Sequence, residues 1–257
     1  MKCVHPKVWI VGAGPGDPEL ISVKGLKTIQ SADVILYDAL VSSALLDNAP
    51  AGCKKVYVGK RKGHKEFLQN EINQLIVFYA TRNACVVRLK GGDPNVFGRG
   101  HEEMEYVKRR GIAVEMISGI SSALAAPAAA RIPLTKRGIN ESFWVVTGTL
   151  SSGEMSNDIV LAAQSSATII ILMGMTHLEK IAALVQQYRS PQEPMALIHQ
   201  ATTPLQNIAI GTAENIFHRA LQKNISSPAV IVIGKVVNEC DIENLIVSAG
   251  SSVIAED

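Results

Sequence analysis

Cys85-Val86-Val87-Arg88-Leu89-Lys90-Gly91-Gly92-Asp93-Pro94-Asn95-Val96-Phe97-Gly98-Arg99-Gly100-His101-Glu102-Glu103 decides the fold class. Its first five residues form a short apolar run with two adjacent valines, which reads as a buried strand. Gly91 and Gly92 then release the backbone for a turn that brings bare peptide against a ligand. A second glycine pair brackets Arg99, and two glutamates open a helix running to about Arg110. Strand, glycine-rich loop and helix in that order are the building unit of an α/β fold. A packing core has no need of a fixed carboxylate and a fixed guanidinium in such a loop, whereas a binding site has.

The same unit recurs on either side. Upstream, Lys7 to Val11 reads as a strand ending in Gly12-Ala13-Gly14-Pro15-Gly16-Asp17-Pro18. A helix from about Ser22 to Ser31 and a strand from Asp33 to Tyr37 follow, an alternation that predicts parallel pairing. Ile72, Leu75, Ile76 and Tyr79 mark an amphipathic helix. Downstream, Val114 to Ile117 is a strand, and the joint Ser118-Gly119-Ile120-Ser121-Ser122 is the expected domain boundary, giving domains 1–118 and 119–257. An alanine-rich segment, Ala123 to Ala130, contains Pro127, which should kink or end a helix.

The second half restarts the pattern, with strands at Phe143 to Val146, Thr168 to Met173, Met195 to His199 and Ala229 to Gly234. Thr176 and Glu179 have capping-box spacing before the helical stripe Leu178, Ile181, Ala182 and Val185. A helix from about Ala213 to Gln222 is expected to bury Phe217, Ala220 and Leu221. There is no internal repeat, so the pattern predicts two different α/β halves.

With 47% apolar and 19% charged residues, the 257-residue chain is of ordinary globular composition. A net charge of +2 gives no footprint for nucleic acid. Lys54, Lys55, Lys60, Arg61, Lys62 and Lys65 nevertheless crowd together, either as a solvated loop or to meet a polyanionic small molecule. Cys3, Cys53, Cys85 and Cys240 lie far apart, with no C-x-x-C and no histidine at ligand spacing. They read as reduced, mostly buried thiols of a cytoplasmic protein, with no metal site. No signal peptide and no apolar run of membrane-spanning length is present.

Gly12, Gly14 and Gly16 fall at G-x-G-x-G spacing, with prolines where a phosphate-binding helix should begin, so this is not a dinucleotide fingerprint. Val11 to Leu20 instead resembles the opening signature of the tetrapyrrole methylases, which use S-adenosyl-L-methionine. Tyr37-Asp38, Val58-Gly59-Lys60-Arg61, His64 and Gln69 continue the likeness. Arg88 to Glu103 resembles the family's second signature, in the form found in the branch acting on uroporphyrinogen III. Gly119 to Ala123, Ile132 to Thr135, Leu172 to Gly174 and Ser227 to Ala229 also match. Ser118 stands where the family usually has proline, and Lys136 where it has histidine.

The resemblance implies two α/β domains, the first mainly parallel, the second mixed, with the cofactor in the cleft between them. The first is expected to carry the substrate and part of the cofactor site, the second the adenosyl-binding part. The implied reaction transfers two methyl groups from S-adenosyl-L-methionine to uroporphyrinogen III, giving precorrin-2 for sirohaem or cobalamin and releasing S-adenosyl-L-homocysteine. A later precorrin methylation is the alternative. Because the chain begins at the methylase strand, the further sirohaem steps are expected on other proteins.

Asp38, at a strand end, is the candidate base, and Lys60 the candidate acid or electrostatic group; alternatively Asp38 caps a turn and Lys60 binds a propionate. The cofactor positions carried over are Pro15, Gly91, Gly92, Asp93, Val96, Ser121, Ser122, Met173, Ala201 and Ala229. Arg99 and Glu102 are expected to brace the loop. Lys60, Arg61, Lys62, Arg88, Lys90, Arg99, Lys136 and Arg137 are available for the substrate's carboxylates. A homodimer is implied, with neither nucleic acid nor membrane as partner.

Overall fold

The computed structural model of the protein describes residues 6–59 and 67–240. The chain divides between Ser122 and Ala123 into two compact units. Among the described residues the first holds five strands, β1 (Lys7–Gly12), β2 (Val34–Tyr37), β3 (Lys54–Tyr57), β4 (Cys85–Lys90) and β5 (Ala113–Ile117), and the helices α1 (Val23–Ile29), α2 (Ser43–Leu46), α3 (Gln69–Ala80) and α4 (Gly100–Lys108). The strand order is β3-β2-β4-β1-β5, and every pairing is parallel.

Parallel sheets need both faces covered, which explains why β4 is buried along its whole length. On one face Val8, Ile10, Leu36 and Val86 pack with Ile72 and Ile76 of α3 and Val107 of α4. On the other, Val11, Ile35, Val87 and Leu89 meet Ile29 of α1 and Leu45 and Leu46 of α2. Ser22 starts α1 as the sequence pattern suggests, its hydroxyl accepting a hydrogen bond from the Gly25 N–H.

The second unit is built on β6 (Phe143–Thr147), β7 (Thr168–Leu172), β8 (Pro194–His199), β9 (Asn207–Thr212) and β10 (Ala229–Ile233), in the order β6-β7-β10-β8-β9. Only β6 and β7 run parallel, so this sheet is mixed, as expected. Its helices are α5 (Ser122–Ala129), α6 (Asp158–Gln164), α7 (Leu178–Tyr188) and α8 (Ile216–Gln222). Ile169, Ile171, Leu197 and Ile231 pack with Ile159, Ile181, Val185 and Ile216 from α6, α7 and α8. The opposite face, Ile170, Ile198, Val230 and Val232, is covered by Ala123 and Ala126 of α5 and by Val236 and Val237. Arg189 seals the end of α6, donating to the carbonyls of Ala162, Ala163 and Ala167 and to Glu193.

Some local expectations need correction. The Thr176–Glu179 capping box does not form, because the chain passes through a 3-10 turn at Met175–His177 and α7 begins at Leu178 with no side-chain cap. Helix α8 starts at Ile216 with no side-chain cap, and the Asn215 carboxamide accepts instead from the Thr212 N–H upstream of it. Ile216 and Ala220 are its buried residues, while Phe217 (41% exposed) and Leu221 (61%) face solvent. Pro127 lies inside α5, which ends two residues later at Ala129. Among the described thiols Cys85 is buried and Cys53 and Cys240 are half-buried; Cys3 lies outside the described residues. Strand β9 was not anticipated, since Asn207–Thr212 lacks a run of large apolar residues.

Candidate active site

All five strands of the first sheet end on one edge, where open α/β sheets take their ligands. The chain leaves β1 toward β2 on one side, and leaves β4 toward β5 on the other, so the winding reverses between β1 and β4. At that point the two loops are stitched together. The Gly92 N–H donates to the Gly14 carbonyl at 2.7 Å, and the Gly14 N–H returns the bond to Gly92 at 3.3 Å. Asp93 ties in β5, its Oδ2 accepting from the Gly119 N–H at 3.0 Å while Oδ1 accepts from the Asn95 N–H at 2.7 Å.

The backbones here approach too closely for side chains. A Cβ on Gly119 would stand 2.3 Å from the Gly92 carbonyl oxygen, and one on Gly12 would stand 2.5 Å from the Gly119 nitrogen. Gly92 itself has φ of +68°, which glycine adopts without strain. A Cβ built there would find its nearest neighbours, Ser121 Cα and Ser122 N, at 3.9 and 4.0 Å. The side chain that Gly92 lacks would thus lie in ordinary contact with the Ser121-Ser122 backbone. Ser121 is buried, and Gly91, Ser122, Val96 and Pro15 are half-buried. The structure thus gathers Gly91, Gly92, Asp93, Ser121 and Ser122 around one turn.

Asp38 is the first residue after β2. Extending the β2–β4 register by one step sets it beside Lys90. Its Oδ1 accepts from the Leu40 N–H at 3.1 Å, which closes an Asx turn. Its Oδ2 faces the Arg88 guanidinium at 3.5 Å. Behind Arg88 lies a carboxylate that sequence reasoning missed. Glu103 is fully buried; its Oε1 accepts from Arg88 Nε at 3.2 Å and from Gln69 at 3.0 Å, and Lys90 Nζ lies 3.1 Å from each oxygen.

Burial opposes the Glu103 carboxylate, but Arg88 and Lys90 outweigh it and hold its pKa below the usual glutamate value. Burial also pushes Lys90 below the usual lysine value, with Arg88 adding to that effect and Glu103 resisting it. Arg88 (3% exposed) and Lys90 (5%) are thereby removed from the cations available to substrate carboxylates. The signal for Glu103 was present: Gly100, Glu103 and Val107 share the buried face of α4, whereas Glu102 points outward to a bidentate pair with Arg99.

In the second unit, β10 pairs antiparallel with both β7 and β8, which brings the ends carrying Met173, Ala201 and Ala229 to one edge. Continuing the β7–β10 register sets Met173 opposite Ala229. Met173 is half exposed (52%) and has φ of +56°, uncommon for a side chain of its size. Its carbonyl accepts from the Thr149 hydroxyl at 2.6 Å, and Gly148 backs directly onto Gly174. It is not a core residue. Ala201 is buried and Ala229 half-buried. Lys136 is paired with Glu239. Lys60, Arg61, Lys62 and His64 lie outside the described residues.

A glycine-knit strand edge at a winding reversal is where α/β proteins take small-molecule ligands, and here it carries one oriented carboxylate. The sequence profile of the Tetrapyrrole (Corrin/Porphyrin) Methylases matches residues 7–216, and the chain belongs to that family. The uroporphyrinogen-III C-methyltransferase of Methanocaldococcus jannaschii is 47% identical over 237 residues, which is 91% of this chain and 98% of the relative. Among solved structures, the uroporphyrin-III C-methyltransferase of Thermus thermophilus complexed with S-adenosyl homocysteine aligns with a TM-score of 0.78. It is 37% identical, over 90% of this chain and 99% of that one. A cobalt precorrin-4 methyltransferase aligns at 0.82, with 29% identity over 92% and 98%.

Proposed function

We propose that this chain transfers two methyl groups from S-adenosyl-L-methionine to ring carbons of uroporphyrinogen III, forming precorrin-2. The observation that carries the reading is the 47% identity, over nearly the full length of both chains, to a protein of that activity. The sulfonium supplies an electrophilic methyl group and leaves as a neutral thioether. A reduced pyrrole carbon is nucleophilic enough for direct in-line displacement, so the protein's part is largely alignment and exclusion of water.

The residues assigned to the cofactor are Pro15, Gly91, Gly92, Asp93, Val96, Ser121, Ser122, Met173, Ala201 and Ala229. Attack leaves positive charge on the pyrrole. Asp38 faces that charge and accepts the proton lost afterwards; the Asx turn and Arg88 fix its two oxygens for the task. Lys60 is assigned the acid or electrostatic role. The enzyme works in the cytoplasm as a homodimer, without nucleic acid or membrane as partner. No helix among the described residues is long and apolar enough to cross a membrane.

A second reading, methylation of a later precorrin, draws on the good fold match to the cobalt precorrin-4 enzyme. The lower identity of that pair weighs against it. Anaerobic incubation with uroporphyrinogen III and S-adenosyl-L-methionine, followed by mass spectrometry, decides between them. A dimethylated product supports the first reading, and an unmodified substrate overturns it.

A further inference from the structure

We propose that Arg88 and Glu103 are positioning residues for methyl transfer, acting through Asp38 as the buried part of a charge-balanced quartet. The proposal rests on Asp38 being the base. Along β4, Arg88 and Lys90 point to the same sheet face as Asp38, because alternate strand residues share a face. These two cations on β4 reach Asp38, with Glu103 of α4 behind them. The quartet comprises two carboxylates and two cations, and Asp38 is its solvent-facing member, with its side chain 25% exposed against 3%, 7% and 0% for the others.

A packing role alone does not account for this arrangement. Buried charges are costly, and two cations next to one another on a strand are more so. Glu103 relieves that cost by bonding both, and its contact with Arg88 Nε fixes the guanidinium. Arg88 Nη1 is also anchored, donating to the Leu89 carbonyl at 2.9 Å. Nη2 is left directed at Asp38 Oδ2. Since the Leu40 N–H holds the other oxygen, the carboxylate has one orientation. Glu103 sets how much positive charge Asp38 feels, and Arg88 delivers it.

The two residues should therefore act on transfer through Asp38 and leave cofactor binding alone. Arg88→Gln is expected to slow single-turnover transfer at least about tenfold, since an unfixed base loses alignment. Glu103→Gln frees the guanidinium from its anchor and is expected to slow transfer by a similar factor. Arg88→Lys keeps a cation beside Asp38 and should recover part of the lost rate. Because both act through Asp38, adding Arg88→Gln or Glu103→Gln to Asp38→Asn should slow transfer no further than Asp38→Asn alone. Binding of S-adenosyl-L-homocysteine, measured by calorimetry, should be unchanged in the three single variants.

Wild-type transfer rates in both glutamine variants overturn the proposal, as does a double variant with Asp38→Asn that is slower than Asp38→Asn by the full factor of the second change. Where Arg88→Gln fails to give a folded protein by circular dichroism, Glu103→Gln decides by the same comparison: no further loss on top of Asp38→Asn supports the proposal, and a full additional loss overturns it. Asp38→Asn separates the underlying reading from the proposal. Wild-type turnover in that variant removes Asp38 as base, and the proposal with it. Loss of turnover there, with wild-type transfer in the others, leaves the base assignment standing and refutes only the quartet.

Discussion

Gly119→Ala probes the strand-end junction directly. The added methyl carbon would lie 2.3 Å from the Gly92 carbonyl oxygen and 2.8 Å from the backbone of Gly12. It falls about 1 Å short of ordinary contact distance, and both obstacles are main chain, so no side chain can swing aside. Relief requires the loops after β1 and β4 to separate from β5, and that separation strains the Asp93–Gly119 and Gly14–Gly92 bonds together. Overpacking of this kind costs about 3 kcal/mol. In a protein of this size that corresponds to a melting point lower by roughly 6–12 °C. Because Gly92 and Asp93 form part of the proposed cofactor wall, affinity for S-adenosyl-L-homocysteine should fall at least about tenfold, or about 1.4 kcal/mol. Gly52→Ala is the control, since a Cβ there meets nothing within 4 Å. Calorimetric titration and thermal melts of both variants make the test. A Gly119→Ala protein that melts and binds like wild type would refute the idea that these loops form one rigid wall.

Asp38→Asn should retain cofactor affinity while single-turnover transfer falls by about 10²–10⁴, as for loss of a general base; stopped assays under anaerobic conditions measure it. Arg189→Ala strips the partners from three carbonyls and from Glu193, and is expected to cost about 3 kcal/mol in urea unfolding with no change in single-turnover transfer by the folded protein. Glu103 gives a stability prediction of definite sign. Its folded pKa lies below the ordinary value of 4.5, so the unfolded chain binds more protons in that window. The stabilisation is fully present above that pH and is lost as pH falls through the folded value. Acid titration followed by circular dichroism should therefore show a shallower loss in Glu103→Gln than in wild type.

The α/β class was legible in short apolar runs such as Cys85–Lys90 and Thr168–Leu172, because a strand buried on both faces must be apolar almost throughout. The glycine loops were legible too, since few other residues tolerate such turns. What held them together was not. Gly12, Gly92 and Gly119 meet only because β1 lies between β4 and β5, and strand order is a long-range property that local pattern does not carry. Phe217 and Leu221 face solvent for a related reason: the face of α8 that is buried, Ile216 and Ala220, is set by the sheet it packs against and not by its own apolar spacing. The sharpest failure concerns adjacent glutamates. Glu102 and Glu103 look alike in sequence, yet a helix turns about 100° per residue. One therefore faces solvent and the other the interior, where only the placement of Arg88 and Lys90 on β4 makes a buried carboxylate tolerable.

The most direct test of the account uses S-adenosyl-L-methionine carrying a ¹³C-labelled methyl group, with uroporphyrinogen III under anaerobic conditions and NMR of the product. The account predicts two labelled methyl groups, each bonded to a pyrrole ring carbon, formed by wild type and essentially lost in Asp38→Asn. Label on a carboxylate or nitrogen, or no transfer to this substrate at all, would contradict it.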